Sequence, residues 1–241
     1  MKKLLFILLL ISSVSNGQIV INRSFGTLTS QTTNATSFGV GPATYTAGRL
    51  YIYVAQTTGT TNAGTISSTT LTWDNLGGIG NSTNRIQVYR CMPSATVSGE
   101  TVTLGTFGGG STGYTVAIYE ITGVVQTGTN GADAVAQINS AGPTTGADPA
   151  ITLSALSGSG SAVIGWFSND ANPFAGTQEA GGWSEIYDSG YSSPTTGFYE
   201  TARNGTTDNT VVVTAASSTW IGVALELRMR PNNGFFQLFK H

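Results

Sequence analysis

The segments Leu71-Thr72-Trp73-Asp74-Asn75-Leu76 and Gly182-Trp183-Ser184-Glu185-Ile186-Tyr187 open two parallel series of short apolar runs. The first continues through Arg85 to Arg90, Thr101 to Leu104 and Tyr114 to Ile121. The second continues through Gly197 to Arg203, Thr210 to Ala215 and Thr219 to Leu227. Trp73 and Trp183, Tyr89 and Tyr199, Thr96 and Thr206, and Val102 and Val212 are all 110 residues apart. One offset shared by successive blocks predicts an internal duplication with half-repeats at about 44–123 and 150–228.

Working outward from these blocks, apolar residues recur at spacing two. Gly, Thr and Asn interrupt every run, so the pattern reads as strands and nowhere as an amphipathic helix. Arg49 to Gln56 (RLYIYVAQ) is expected as a central strand, apolar on both faces, and Ser161 to Ser168 (SAVIGWFS) holds its place in the second half. Ile19 to Phe25, Ser37 to Val40, Ala134 to Ser140 and Ala150 to Leu153 add shorter strands. Thr57 to Ser68 and Asn169 to Gly182 read as loops, Gly123 to Asn130 as a connector, and Gly142 to Pro149 as the boundary between halves. Ten to twelve short strands with turns between them predict an all-β fold. The architecture expected is an antiparallel, jelly-roll-like β-sandwich over 18–230 whose two related halves complete one core. Two tandem Ig-like sandwiches are the alternative. The last repeat strand aligns either as Glu120 with Glu226 or one residue off, and a one-residue slip reverses which side chains enter the core.

Composition narrows the function. Only 9% of the 241 residues are charged, 32 are glycine, and the formal net charge is -2. No Lys or Arg cluster is present to neutralise phosphates, so neither nucleic acid nor an anionic membrane is an expected partner. Lys2 and Lys3, the apolar run Leu4 to Ile11 and the small residues Ser15-Asn16-Gly17 read as a signal peptide over 1–17, cleaved after Gly17. The run is too short to span a bilayer as a helix. Without Lys2 and Lys3 the chain carries 8 basic and 12 acidic side chains. The expected location is extracellular or at the cell surface. Cys91 is the single cysteine. It ends an apolar strand and is expected buried, with pairing between chains as the alternative.

Candidate chemistry is sparse. The one histidine, His241, ends the chain, so a His-based triad or dyad and a His-ligated zinc site have no residues to build on. Gly108-Gly109-Gly110 follows no strand that opens a helix, so it reads as a hairpin and not a phosphate loop. Paired carboxylates are the remaining enzymatic option, as in glycan hydrolases, with Glu120, Glu226, Glu185 and Glu200 as candidates. Asn169-Asp170-Ala171-Asn172, joined by Asp188 or Asp208, offers oxygen ligands to calcium, but without the acidic spacing of a dedicated loop. No catalytic residue, metal site or cofactor is expected. Trp73 and Trp183 recur with the repeat and read as core anchors. Tyr187 and Tyr191 have no repeat partners and, with Trp183, are the candidates for an aromatic surface that stacks on sugar rings. After Pro231 and the turn Asn232-Asn233-Gly234, the tail over 231–241 carries Phe235, Phe236, Leu238 and Phe239, an apolar cluster that must dock against something. It docks either on the protein's own sandwich or, like the N-terminal strand Ile19-Val20-Ile21, on the sheet edge of a neighbouring copy.

The leader through Gln18 resembles the signal peptides of exported Bacteroidota proteins. Arg49 to Gln56, Trp73, Tyr89-Arg90 and Ala117-Ile118-Tyr119-Glu120-Ile121-Thr122-Gly123 resemble a β-sandwich module of exported bacterial proteins and phage virion proteins without assigned activity. That resemblance implies a sandwich at a cell or virion surface. The function expected is therefore a secreted, non-enzymatic structural or adhesive subunit, self-assembling through its terminal strands into a filament or coat. A carbohydrate-binding module is the alternative and a glycoside hydrolase the third reading.

Overall fold

The computed structural model describes residues 18–31, 37–58, 64–105, 113–170, 177–178, 182–192 and 195–231. The leader through Gly17, the triplet Gly108 to Gly110, Asn172 and the tail with Phe235, Phe236, Leu238 and Phe239 lie outside the described residues.

Sixteen strands occupy most of the described residues. The first eight are β1 (Val20–Gln31), β2 (Ser37–Tyr45), β3 (Leu50–Thr58), β4 (Thr65–Ser67), β5 (Asp74–Gly80), β6 (Asn84–Cys91), β7 (Val97–Gly105) and β8 (Tyr114–Thr122). The second eight are β9 (Val135–Gly146), β10 (Ala150–Thr152), β11 (Ala162–Asn169), β12 (Thr177–Gln178), β13 (Ser184–Ser192), β14 (Thr195–Arg203), β15 (Thr210–Thr214) and β16 (Ser218–Leu227). All named strand pairs are antiparallel, in a five-stranded sheet β1-β8-β3-β6-β5 with a small sheet β2-β7-β4, and a five-stranded sheet β9-β16-β11-β14-β13 with a small sheet β10-β15-β12. Adding eight to each strand number turns the first half into the second.

The antiparallel β-sandwich of two related halves is thus present, as four layers around three cores. In the first half, Phe38, Tyr45, Tyr53, Val102 and Leu104 pack between the small sheet and the inner sheet. In the second, Ile151, Phe167, Trp183, Tyr199 and Val211 do the same. The largest cluster lies between the two five-stranded sheets, where Ile52, Val54, Val88 and Tyr119 meet Ile164, Trp166, Val223 and Leu225. Strands β3 and β11 are buried along their whole length because both faces meet another layer. This explains why their sequences are apolar on both faces.

The stretches read as loops at Thr57 to Ser68 and Asn169 to Gly182 hold β4 and β12, so strands outnumber the ten to twelve expected, and the halves share a central core while each keeps one of its own. Three further expectations change. Gly142 to Pro149 does not separate the halves: Gly142 to Gly146 is the end of β9, which pairs with β16. The chain passes between halves earlier, at Gly123 to Ala134, where a 3-10 segment (Thr129–Ala134) is clamped by Asn130. The Asn130 side chain accepts from the Met92 N–H at 2.7 Å and donates to the Thr72 and Arg90 carbonyls. Second, the strand expected to end at Phe25 continues as β1 to Gln31, with two irregularities in its pairing.

Third, the offset of 110 is local. Trp73 and Trp183 keep it, but each is followed by a β-bulge, between Asn75 and Gly77 and between Glu185 and Tyr187. The bulges align Gly77 with Tyr187 and Val88 with Glu200. From there the pairings put β3 and β11, and β6 and β14, 112 residues apart, and β8 and β16 106 apart. Val102 is buried whereas Val212 is only half-buried and on the opposite side of its strand from Val211 and Val213. Turn lengths differ between halves, and a change of one residue reverses the face. The Glu120 and Glu226 alignment is the correct one: they pair with the equivalent residues Tyr51 and Val163.

Close packing of the second half rests on Gly222. A Cβ placed there would lie 2.7 Å from Ile151 Cδ1 and 2.9 Å from a Phe167 ring carbon. Both neighbours are buried and cannot step aside into solvent. Gly222→Ala is expected to cost about 1–3 kcal/mol through overpacking, seen as a lower urea midpoint with an unchanged slope.

Candidate functional site

The carboxylates do not converge. Glu120 and Glu226 each point to the small-sheet side of their own half, whereas Glu200 on β14 points into the central layer. Glu120 accepts from the Tyr51 hydroxyl at 3.1 Å and pairs with Arg49 at 2.9 Å. Glu226, with no solvent exposure, accepts from the Ser157 N–H and hydroxyl, the Ser161 hydroxyl and the Gln137 amide, all at 2.6–2.7 Å. Burial pushes its carboxyl upward, but the hydrogen bonds outweigh that and hold it below its ordinary value. Glu185 hydrogen-bonds Tyr199, whose phenol is pushed up by burial and by this carboxylate. Glu100, which the sequence did not single out, accepts from the N–H groups of Thr69 and Thr70. Glu120, Glu226 and Glu200 therefore face three different layers, and the two-carboxylate geometry of glycan hydrolysis is not assembled among them.

The most polar buried site lies between the halves. Arg23 on β1 forks onto Glu200 with Nε to Oε2 at 2.5 Å and Nη2 to Oε1 at 3.1 Å. The side chains are 9% and 0% exposed. Tyr119 on β8 donates its hydroxyl to Glu200, and the Trp166 indole N–H on β11 donates to Tyr119 at 3.1 Å. The ring of Tyr187 on β13 covers Arg23, with the guanidinium carbon 3.7 Å from the ring centroid. Burial lowers the Arg23 pKa, but the Glu200 carboxylate more than compensates, so the net shift is upward. Burial, then the Glu200 charge, keeps the Tyr119 phenol protonated and a donor. Arg23 and Tyr119 are thus held in the ionisation states their partners need. The strands carrying Arg23 and Glu200 are 177 residues apart in sequence, and no spacing pattern could have paired them.

The aromatic candidates separate. Trp183 is 8% exposed, packed in the second half's own core with the Arg203 guanidinium 6.0 Å away. It offers no open ring face for a sugar, which corrects its place among binding candidates and agrees with the core role its recurrence suggested. Tyr187 is half-buried with one face already taken by Arg23. The backbone of Tyr191 pairs with Thr196 on β14, and its side chain lies outside the described residues. Of the loop proposed for calcium, Asp170 accepts from the Thr83 hydroxyl at 2.9 Å and the Asn84 amide at 2.8 Å. Asp208 pairs with Arg203, and Asp188 is exposed on β13. Among the described residues no three His, Cys, Asp or Glu side chains gather as a metal site. Cys91 is fully buried beside a cleft of about 400 Å³ that Asp74, Met92 and Asn130 also line. Burial, then Asp74, pushes its thiol up to about 12, so it is neither a thiolate nucleophile nor exposed for pairing between chains.

The terminal strand divides by parity. Ile19 is 2% exposed and Ile21 half-buried, both packed in the central layer, whereas Val20 is 55% exposed and is the one large hydrophobic residue exposed among those described. β1 occupies the outer edge of its sheet, paired on one side only, to β8. Fold and site together define a four-layer antiparallel β-sandwich protein, duplicated internally, whose buried charges are committed to structural bonds. No protein-family model, curated protein or solved structure matches the chain. No helix among the described residues is long and apolar enough to cross a membrane.

Proposed function

We propose that the chain is a secreted, non-enzymatic structural or adhesive surface subunit that self-associates through its terminal strands. The observation that supports this most directly is the N-terminal edge. β1 is the outer strand of its sheet and pairs with β8, with Val20 exposed and the only charge between Val20 and Arg23, that of Arg23, turned inward. Natural edge strands are usually blunted by outward charge, by Pro or by bulges. The equivalent edge, β9, carries Pro143. β1 carries no Pro and no outward charge from Val20 to Arg23, and its two irregularities lie beyond, between Ser24 and Thr29.

Because Ile19 and Ile21 are anchored in the protein's own core, β1 serves as an acceptor edge and not as a donated strand. The apolar tail beyond Pro231 supplies the donor. The low charge and the commitment of Glu120, Glu200 and Glu226 to structural partners agree with a scaffold role. The test is electron microscopy of the chain from Gln18 to His241 beside a version truncated after Arg230. Filaments or rings in the first and single particles in the second are expected. Single particles in both defeat assembly through the tail, and glycan binding by Tyr187 and Tyr191 variants then becomes the reading to measure.

A further inference from the structure

The inner sheets of the two halves pack as a pseudo-twofold pair. Asn84 and Thr196 occupy equivalent positions and bond to each other at 3.3 Å, as residues on a twofold axis do. Beyond the last inner strands, Gly123 to Val125 pairs with Arg228 to Arg230. Applying the equivalences of β-bulge and strand register, Glu200 corresponds to Val88, Trp166 to Val54 and Tyr119 to Leu225. Asn22 opposite Glu120 matches Gln137 opposite Glu226, so Arg23 corresponds to Ile138. Tyr187 corresponds to Gly77. The polar cluster therefore has a mate across the pseudo-axis made of Val54, Val88, Ile138 and Leu225, all in or against the apolar central core. The same geometry is filled once with charge and once with hydrocarbon.

We propose that the Arg23 and Glu200 pair selects which inner sheets meet, and that each inner sheet is a latent docking surface for the same sheet of a second copy of this chain. A pseudo-symmetric pair of related faces is self-complementary by construction, so a first half could meet another first half. In such a pairing Arg23 would be buried against Val88. Between two second halves Glu200 would be buried against Ile138. Each like pairing strands two charges in apolar surroundings, whereas the pairing of unlike halves neutralises both. Since one chain always supplies one half of each kind, the unlike pairing is open within a single chain, and the cost falls on pairing like halves between copies. This inference is independent of assembly through the tail, which involves a different surface.

The experiment uses the chain from Gln18 to His241 and a four-residue variant that copies the apolar mate, Arg23→Ile, Tyr119→Leu, Trp166→Val and Glu200→Val. A second variant carries Arg23→Ile and Glu200→Val only. Each is unfolded, refolded over a hundredfold range of concentration, and weighed by size-exclusion chromatography with light scattering. The expected result is a five-fold or larger rise in the dimer fraction over wild type in at least one variant, increasing with concentration, with Tm no lower than that of wild type. An unchanged dimer fraction overturns the proposal. So does a rise that accompanies a lower Tm, or failure of both variants to fold, since the pair would then be a stability element and not a selector. Truncation after Arg230 is expected to leave the dimer fraction as it is, whereas loss of the dimer on truncation assigns it to the tail.

Discussion

Glu200→Val alone is expected to destabilise the protein by about 3–5 kcal/mol, because it leaves the Arg23 guanidinium buried without its carboxylate. Arg23→Ile alone is expected to cost a similar amount by leaving Glu200, wholly inaccessible to solvent, with only the Tyr119 hydroxyl. The double variant Arg23→Ile with Glu200→Val is expected to be no less stable than wild type, since apolar replacement of a buried ion pair by side chains of similar volume is often neutral or stabilising. The reason here is specific: the molecule already packs Val88 and Ile138 at the equivalent positions. Urea unfolding of the three proteins at constant pH measures this. A double variant less stable than either single variant would show that the two sites are not equivalent in shape.

The second large effect is expected at Glu226. Glu226→Ala removes four hydrogen bonds to a charged acceptor, each worth about 1.5–3 kcal/mol, but the exposed Ser157 regains water, so the net loss is roughly 3 kcal/mol. The buried Ser161 hydroxyl keeps only its 3.3 Å contact with the Ser157 hydroxyl. The same site sets an acid dependence. The folded carboxyl lies below its ordinary value of 4.5, so the folded state binds its proton less readily than the unfolded chain does. Its contribution is complete above the unfolded value and is lost as pH falls through the folded one. The unfolding free energy of wild type is therefore expected to fall on acidification below about pH 4.5. The curve of Glu226→Ala should be flatter over that window, and parallel curves would sink the assignment.

The two halves show where sequence reasoning holds and where it stops. Trp73 and Trp183 were legible as equivalent anchors because both sit before the bulge, where the offset is intact. Val102 and Val212 were not, because turns of different length slip the register and one residue reverses a strand's face. The central strands β3 and β11 were legible from apolar residues on both faces. That each face belongs to a different core was not, since the pattern records burial and not the neighbour. Cys91 was placed correctly because a free thiol at the end of an apolar strand follows that strand inward. Trp183, whose recurrence marked it as a core anchor, and Tyr187, which has no repeat partner, both stood among the aromatic candidates, and only the fold brings Arg203 to the first and Arg23 to the second.

By itself the sequence determined the all-β class, the antiparallel sandwich and the duplication, because strand periodicity and repeat spacing are local properties that one chain carries in full. The tertiary structure alone decided that the halves stack through their inner sheets, that β9 belongs to the second half, and that Arg23 meets Glu200. The contact of Arg23 with Glu200 joins residues 177 positions apart, and nothing local distinguishes Arg23 on an outer strand from a solvated arginine until the second sheet closes over it.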